Sequence, residues 1–207
     1  MITIVNYGIG NVQAIANIYK RLNIEVSLAA SADELAGADK IILPGVGAFD
    51  WAMTGLNQSG MREALDELVI TKRKPVLGIC VGMQMMGNRS EEGVLDGLGW
   101  IDGDVNRFQE TSLTDKIRLP QMGWNDVVPK QAECLFQGME SEARFYFLHS
   151  YYFSAKRAQD VLAVTDYNGP FASAVRSDNI FGVQFHPEKS HQWGIRLLKN
   201  FAELQPC

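Results

Sequence analysis

Residues 76–84 read Val76-Leu77-Gly78-Ile79-Cys80-Val81-Gly82-Met83-Gln84. An apolar run leads into a small-x-nucleophile-x-small pattern. Such a pattern marks a strand that ends in a turn sharp enough to lift one side chain off the sheet, where a flanking Cβ would collide with the turn. The spacing predicts a strand over residues 76–79 and a helix through Gln84 and Met85. A helix start supplies partial positive charge and N–H donors, and both lower a thiol pKa. Cys80 is therefore the candidate nucleophile.

Upstream of this turn, strand-like runs at residues 2–6, 25–29 and 40–43 alternate with helical periodicity over 12–22 and 60–71. That alternation implies βαβ units, a parallel sheet and right-handed crossovers. Downstream the character changes. Short β-rich runs at 124–128, 145–153, 161–167, 171–176 and 180–185 imply antiparallel strands added to the same domain. A closing helix is expected over 193–204. The fold class that follows is α/β: a mostly parallel, doubly wound sheet with helices on both faces plus antiparallel strands, as one domain over 1–207. No internal repeat or linker interrupts it. The polar stretch 110–116 reads as a surface loop.

The composition narrows the function. The chain has 207 residues, 46% hydrophobic and 21% charged, which suits one globular domain with a full core. A formal net charge of -5 without a basic stripe disfavours nucleic acid as a partner. No apolar run reaches the ~18 residues of a membrane span, so no membrane partner is expected. The first residues read as a strand and lack the features of a signal peptide. Cys80, Cys134 and Cys207 are odd in number and unrelated in spacing. They argue against a disulfide framework and a zinc cluster, and for a reducing, cytoplasmic compartment. Cys134 and Cys207 read as inert.

A thiol nucleophile needs a base, and the base needs an orienting group. The chain has three histidines, His149, His186 and His191. His186 alone has a carboxylate two residues on, in Phe185-His186-Pro187-Glu188 after the apolar run 180–183. In extended chain, i and i+2 point the same way, so Glu188 can approach the ring. Pro44-Gly45-Val46-Gly47 follows a buried strand. Its glycines make either a tight turn or a backbone oxyanion hole, with N–H donors at Gly47 and Val81. Gly8-Ile9-Gly10-Asn11 lacks the third glycine of a dinucleotide loop.

Taken together, Gly-Ile-Cys-Val-Gly-Met-Gln at 78–84 and Gln-Phe-His-Pro-Glu-Lys-Ser at 184–190 resemble the signature blocks of the class I, triad-type glutamine amidotransferases, a family with a flavodoxin-like sheet. Within that class, Leu-Pro-Gly-Val-Gly-Ala-Phe at 43–49 resembles the glutaminase (HisH-type) subunits of imidazole glycerol phosphate synthase. So do Tyr-Gly-Ile-Gly-Asn at 7–11, Met-Gly-Trp-Asn at 122–125 and Phe-Tyr-Phe-Leu-His-Ser-Tyr at 145–151. The resemblance implies hydrolysis of glutamine to glutamate and ammonia by Cys80, His186 and Glu188, without cofactor or metal. It implies that ammonia passes to a (β/α)8-barrel cyclase subunit of the HisF type, in a heterodimer that serves histidine biosynthesis. It also implies that Gln84, Glu92, Ser150 and Tyr151 hold glutamine, and that Ile9, Asn11, Trp124, Tyr146 and Lys189 meet the barrel.

Two alternatives stand beside this reading. Phe-Asp-Trp-Ala-Met at 49–53 and the stretch 91–102 resemble a second branch, in which the same glutaminase feeds a barrel partner that modifies surface sugars. A free-standing γ-glutamyl Cys hydrolase would share the elbow and triad and need no partner.

Overall fold

The computed structural model describes residues 1–109, 118–130, 134–139 and 143–204. The stretch 110–116 and Cys207 lie outside them. The first half is built as β1 (Ile2–Val5), α1 (Val12–Arg21), β2 (Val26–Ala29), α2 (Ala32–Leu35), β3 (Lys40–Gly45), α3 (Phe49–Gln58), α4 (Arg62–Asp66), β4 (Val76–Cys80) and α5 (Val81–Met85). Then follow β5 (Gly103–Arg107), β6 (Gln121–Asp126), β7 (Val128–Pro129), β8 (Arg144–His149), β9 (Tyr151–Ala155), β10 (Val161–Asp166), β11 (Pro170–Ser177), β12 (Ile180–Val183) and α6 (His191–Glu203).

The main sheet runs β2-β1-β3-β4-β12-β11-β10-β7. Its first five strands are parallel, in the registers Ile4↔Leu28, Ile4↔Ile42, Leu43↔Gly78 and Val183↔Ile79. From β12 onward the pairs are antiparallel, and β9 branches from β11 to carry β5. β4 is buried at all five positions, as a central parallel strand must be. The chain steps from β1 out to β2 and back across to β3. Right-handed crossovers then place α1 on one face and the β2–β3 and β3–β4 connections on the other. The helix contacts agree, with α1 against α6, α2 against α4, and α3 against α5.

Four expectations need correction. The run 145–153 is not one strand. It breaks at Ser150 into β8, which among the described residues pairs only with β6 in a separate two-stranded sheet, and β9, which joins the main sheet. β3 continues through Pro44 and Gly45, because both still pair with β4. α3 was not expected; its residues Phe49, Ala52, Met53 and Leu56 form one buried stripe. The helix expected over 60–71 is α4 followed by a π turn over Glu67–Thr71, where Lys72 N–H donates to Glu67 O at 2.9 Å.

Stacked aromatics hold the two-stranded sheet onto the main one. Phe145 and Phe185 lie 3.9 Å apart at 25°, and Phe147 meets Phe185 edge-on at 5.6 Å. Such pairs add about 0.5–1.5 kcal/mol each beyond their buried area. They fix the chain just before His186 against β8.

Candidate active site

Cys80 ends β4 and precedes α5 with φ 54° and ψ -113°, a strained conformation for a residue with a side chain. The surrounding glycines make the turn possible. A Cβ on Gly82 would lie 2.0 Å from the Leu43 carbonyl oxygen, and one on Gly78 would lie 2.7 Å from Gly82 O and Met83 N. One on Gly45 would meet Gly82 N at 2.4 Å, so β3 can approach the elbow only as glycine. Cys80 lines a cavity of about 470 Å³ at the carboxyl end of the parallel strands, where open α/β sheets bind ligands.

His186 reaches the same cavity from just beyond β12, close enough to Cys80 for the two groups to interact electrostatically. Its Nδ1 lies 2.9 Å from Glu188 Oε1. A carboxylate only accepts, so Nδ1 carries the proton and Nε2 is left for the thiol. Residues 187–189 form a 3₁₀ turn rather than extended chain, so the turn brings Glu188 under the ring. The His186 backbone is clamped as well. Its N–H donates to Tyr146 O at 2.9 Å, and its carbonyl accepts from Ser190 Oγ at 2.6 Å.

Burial works against a charged His186 ring, but Cys80 and Glu188 outweigh it and raise its pKa to about 10. Burial pushes the Glu188 carboxyl up, but His186 and Asn11 outweigh that, and it ends below its ordinary value. Asn11 donates its Nδ2 to Glu188 Oε1 at 3.1 Å. Glu188 Oε2 is buried with no partner among the described residues.

Val46, Gly47 and Val81 border the cavity, and Gly47 has φ +88°. Tyr7 Oη donates to Pro44 O at 2.7 Å and so anchors the end of β3. Burial, with Cys80 adding, raises the Tyr7 phenol pKa and keeps it protonated. Gln84, Glu92, Ser150 and Tyr151 also line the cavity. Glu92 Oε2 accepts from Phe49 N–H, the first of α3, at 2.8 Å. Asp50 holds the neighbouring loop by accepting from Val94 and Leu95 N–H groups at 3.0–3.2 Å. Gln84 gives its Nε2 to Tyr151 O at 3.1 Å and to Gln184 Oε1 at 3.0 Å, which leaves its own oxygen for a ligand.

Of the residues expected at a partner interface, Asn11 and Lys189 lie on the cavity rim. Trp124, 41% exposed, stacks on His191 at 5.3 Å and meets Tyr146 edge-on at 6.3 Å. Lys189 Nζ sits 5.6 Å from the Tyr146 ring centroid. Ile9 is set apart; it is 8% exposed and packs toward Gly55.

Sequence reasoning missed Gln184, His149 and the inward role of Asn11. His149 lines the cavity, and its Nδ1 donates to Tyr151 O at 2.7 Å. Burial lowers its pKa to about 4, so the ring is neutral. The signal for Gln184 was its position two residues before the candidate base. No local signal marks the other two.

Comparison with known proteins bears on this arrangement. The glutamine amidotransferase class-I family matches residues 3–204. Over 204 residues the chain is 58% identical to "Imidazole glycerol phosphate synthase subunit HisH" of Bdellovibrio bacteriovorus, covering 99% of this chain and 100% of that one. It is 49% identical to the same-named subunit of Leptospira interrogans, again covering 99% and 100%. It is 47% identical to "subunit HisH 2" of Pseudomonas aeruginosa, with the same coverage. A crystal structure of a glutamine amidotransferase superposes with a TM-score of 0.74 at 18% identity, covering 98% of this chain and 99% of that one.

Proposed function

Since the chain belongs to the class-I glutamine amidotransferases, we propose that it is the glutaminase subunit of an imidazole glycerol phosphate synthase, with Cys80, His186 and Glu188 as its triad. The carrying observation is a buried His186–Glu188 pair set against a cysteine on a glycine-framed elbow. The names of the relatives support the pathway, histidine biosynthesis, and imply a partner subunit.

In this mechanism the proton of the Cys80 thiol rests on His186 Nε2, and the Cys80 thiolate attacks the glutamine side-chain amide. Backbone N–H groups at Gly47 and Val81 receive the oxyanion. Each such donor is worth about 10²–10³ in rate. His186 returns the proton to the departing nitrogen, and ammonia leaves a γ-glutamyl thioester. Water, deprotonated by the same ring, releases glutamate and restores the thiol. Glu188 keeps the ring in the productive tautomer and stabilises its charged form. Gln84 Oε1 and Glu92 suit the glutamine ammonium, and Ser150 and Tyr151 suit its other polar groups.

The ammonia passes to a (β/α)8-barrel cyclase of the HisF type, in a cytoplasmic heterodimer. The barrel docks on the face bearing Asn11, Trp124, Tyr146 and Lys189, with Ile9 behind it. Docking with acceptor bound brings a Pro44–Gly47 N–H onto the oxyanion, a rotation that Gly45 and Gly47 permit.

The test is Cys80→Ala. It abolishes glutamine-dependent synthesis in the complex and leaves ammonia-dependent synthesis of imidazole glycerol phosphate intact. Retained glutaminase activity would overturn the triad, and loss of the ammonia-driven reaction would overturn the partner assignment. Glu188→Gln harms turnover less than Cys80→Ala, because the nucleophile remains.

A further inference from the structure

Gln184 is fully buried, and its Nε2 lies 3.8 Å from Cys80 Sγ. The direction of this contact is fixed from the far end of a chain of amides. The Tyr151 carbonyl oxygen can only accept, and the Gln84 side-chain atom 3.1 Å from it is therefore nitrogen. That nitrogen lies 3.0 Å from the near atom of the Gln184 amide, which must then be oxygen. The Gln184 nitrogen is left facing the sulfur. Flipping either amide would set N–H against N–H or carbonyl against carbonyl. The other contact made by the sulfur that has a polar partner outside the triad is Leu148 O, 4.0 Å away, which accepts a thiol proton and so favours the neutral form.

We propose that Gln184 is a further catalytic residue of the glutaminase reaction: its carboxamide, held by Gln84, donates a hydrogen bond to Cys80 Sγ and stabilises the thiolate. The contact serves both halves of the reaction. Before attack, a donor to the charged sulfur enlarges the thiolate fraction. That gain exceeds the loss of intrinsic nucleophilicity, which follows thiol basicity with a slope of only ~0.4–0.5. During deacylation the same donor stabilises the sulfur as it leaves the thioester. A neutral donor achieves this without a second positive charge beside His186. The inference rests on Cys80 as the nucleophile.

The experiment follows alkylation of Cys80 by iodoacetamide against pH, in the full chain alone and with its partner, quantified on the Cys80-containing peptide. The titratable groups facing the sulfur are His186 and Tyr7, and Glu188 acts through His186. Glu92, Tyr151, His149 and Lys189 stand on the cavity wall. All of them stay constant across the variants. Gln184→Met preserves bulk and removes the donor. It moves the acid limb of the alkylation profile up by about one pH unit, about tenfold less thiolate on that limb. Its kcat for glutamine falls with it. Gln184→Glu, which places a carboxylate against the sulfur, moves the limb further. Gln84→Met leaves Gln184 in place but frees its amide to turn, and gives a smaller shift of the same sign. A folded Gln184→Met protein with the wild-type alkylation profile overturns the proposal. If that variant does not fold, an unmoved profile in Gln84→Met overturns it. Retained glutaminase activity in Cys80→Ala would instead overturn the nucleophile, an outcome these alkylation profiles cannot mimic.

Discussion

Replacing Asn11 tests how the carboxylate of Glu188, the proposed orienting group of His186, is held. Asn11 lies on an exposed loop, yet its Nδ2 donates to Glu188 Oε1 at 3.1 Å from 177 residues away in sequence. A hydrogen bond to a charged group contributes about 1.5–3 kcal/mol. The exposure of Asn11 puts it at the low end, about 1.5 kcal/mol, which corresponds to about one pH unit. The folded Glu188 carboxyl is depressed, because His186 and Asn11 outweigh the upward push of burial. A depressed carboxyl contributes stability above its unfolded value and loses it as pH falls through the folded value.

Asn11→Ala raises the folded value. The acid limb of kcat/KM for glutamine therefore moves up by about one pH unit, as a property of the coupled His186–Glu188 pair. Asn11→Asp sets two carboxylates together. At the 3.1 Å of the present contact their repulsion is about 5 kcal/mol for an effective dielectric constant of about 20. The exposed aspartate swings away and relieves part of this, but its acid limb still moves further than that of the alanine variant. The assay is kcat/KM against pH in the complex, with ammonia-driven turnover as the control on docking. An unmoved acid limb in Asn11→Ala, or an aspartate variant indistinguishable from it, would refute the reasoning.

Three further outcomes are expected. Gly82→Ala drives a Cβ to within 2.0 Å of a backbone oxygen, so it destabilises by at least about 3 kcal/mol and lowers Tm by roughly 6–12 °C in a melt. Burial holds the folded His149 pKa near 4, below the ordinary 6.5 of an imidazole. As pH falls from 6.5 the unfolded chain gains the proton first, so stability drops by about 3 kcal/mol by pH 4; urea titrations show a flatter slope in His149→Asn, which keeps a donor for Tyr151 O. Trp124→Ala removes an exposed aromatic from the proposed docking face and weakens partner binding by about 2 kcal/mol, roughly thirtyfold in Kd, with Tm unchanged; an unchanged Kd in a binding titration would move the interface elsewhere.

Much of the sheet was legible because burial leaves a local trace. β4 is buried at every position up to Cys80, the proposed nucleophile, which glycines frame, and only a strand-to-helix turn needs that spacing. The His186–Glu188 contact was readable for the same reason, since the partners are two residues apart, although the turn that joins them was not. α3 had a signal in the i, i+3, i+4, i+7 stripe of Phe49, Ala52, Met53 and Leu56, with Gly55 diluting it. The division of 145–153 had none. Aromatic alternation continues on both sides of Ser150, and only the choice of pairing partner separates β8 from β9. Asn11 is placed at the partner interface by resemblance alone, and its inward contact with Glu188 leaves no local trace. No periodicity in a chain encodes a contact across 177 residues.

Those long-range contacts converge on one segment, the loop of residues 7–11 that follows β1. Tyr7 Oη holds the Pro44 carbonyl, and Asn11 holds the Glu188 carboxylate. Between them, Gly10 lies so close to Pro44 that an added Cβ would come within 2.8 Å of the proline Cβ. Residues 7–11 therefore touch both the strand that leads to Gly47 and the acid that orients His186. Parallel strands bring this about. β1, β3, β4 and β12 all end on the same side of the sheet, so the turns that follow them must pack against one another. A glycine in such a turn serves close packing rather than phosphate binding. That accounts for Gly10, whereas Gly8 has open space around an added Cβ and is required by its φ of +86°, and the Gly8-Ile9-Gly10 sequence carries no dinucleotide signature. It also makes the geometry of the proposed triad depend on four strand ends at once, although only two of them carry its residues.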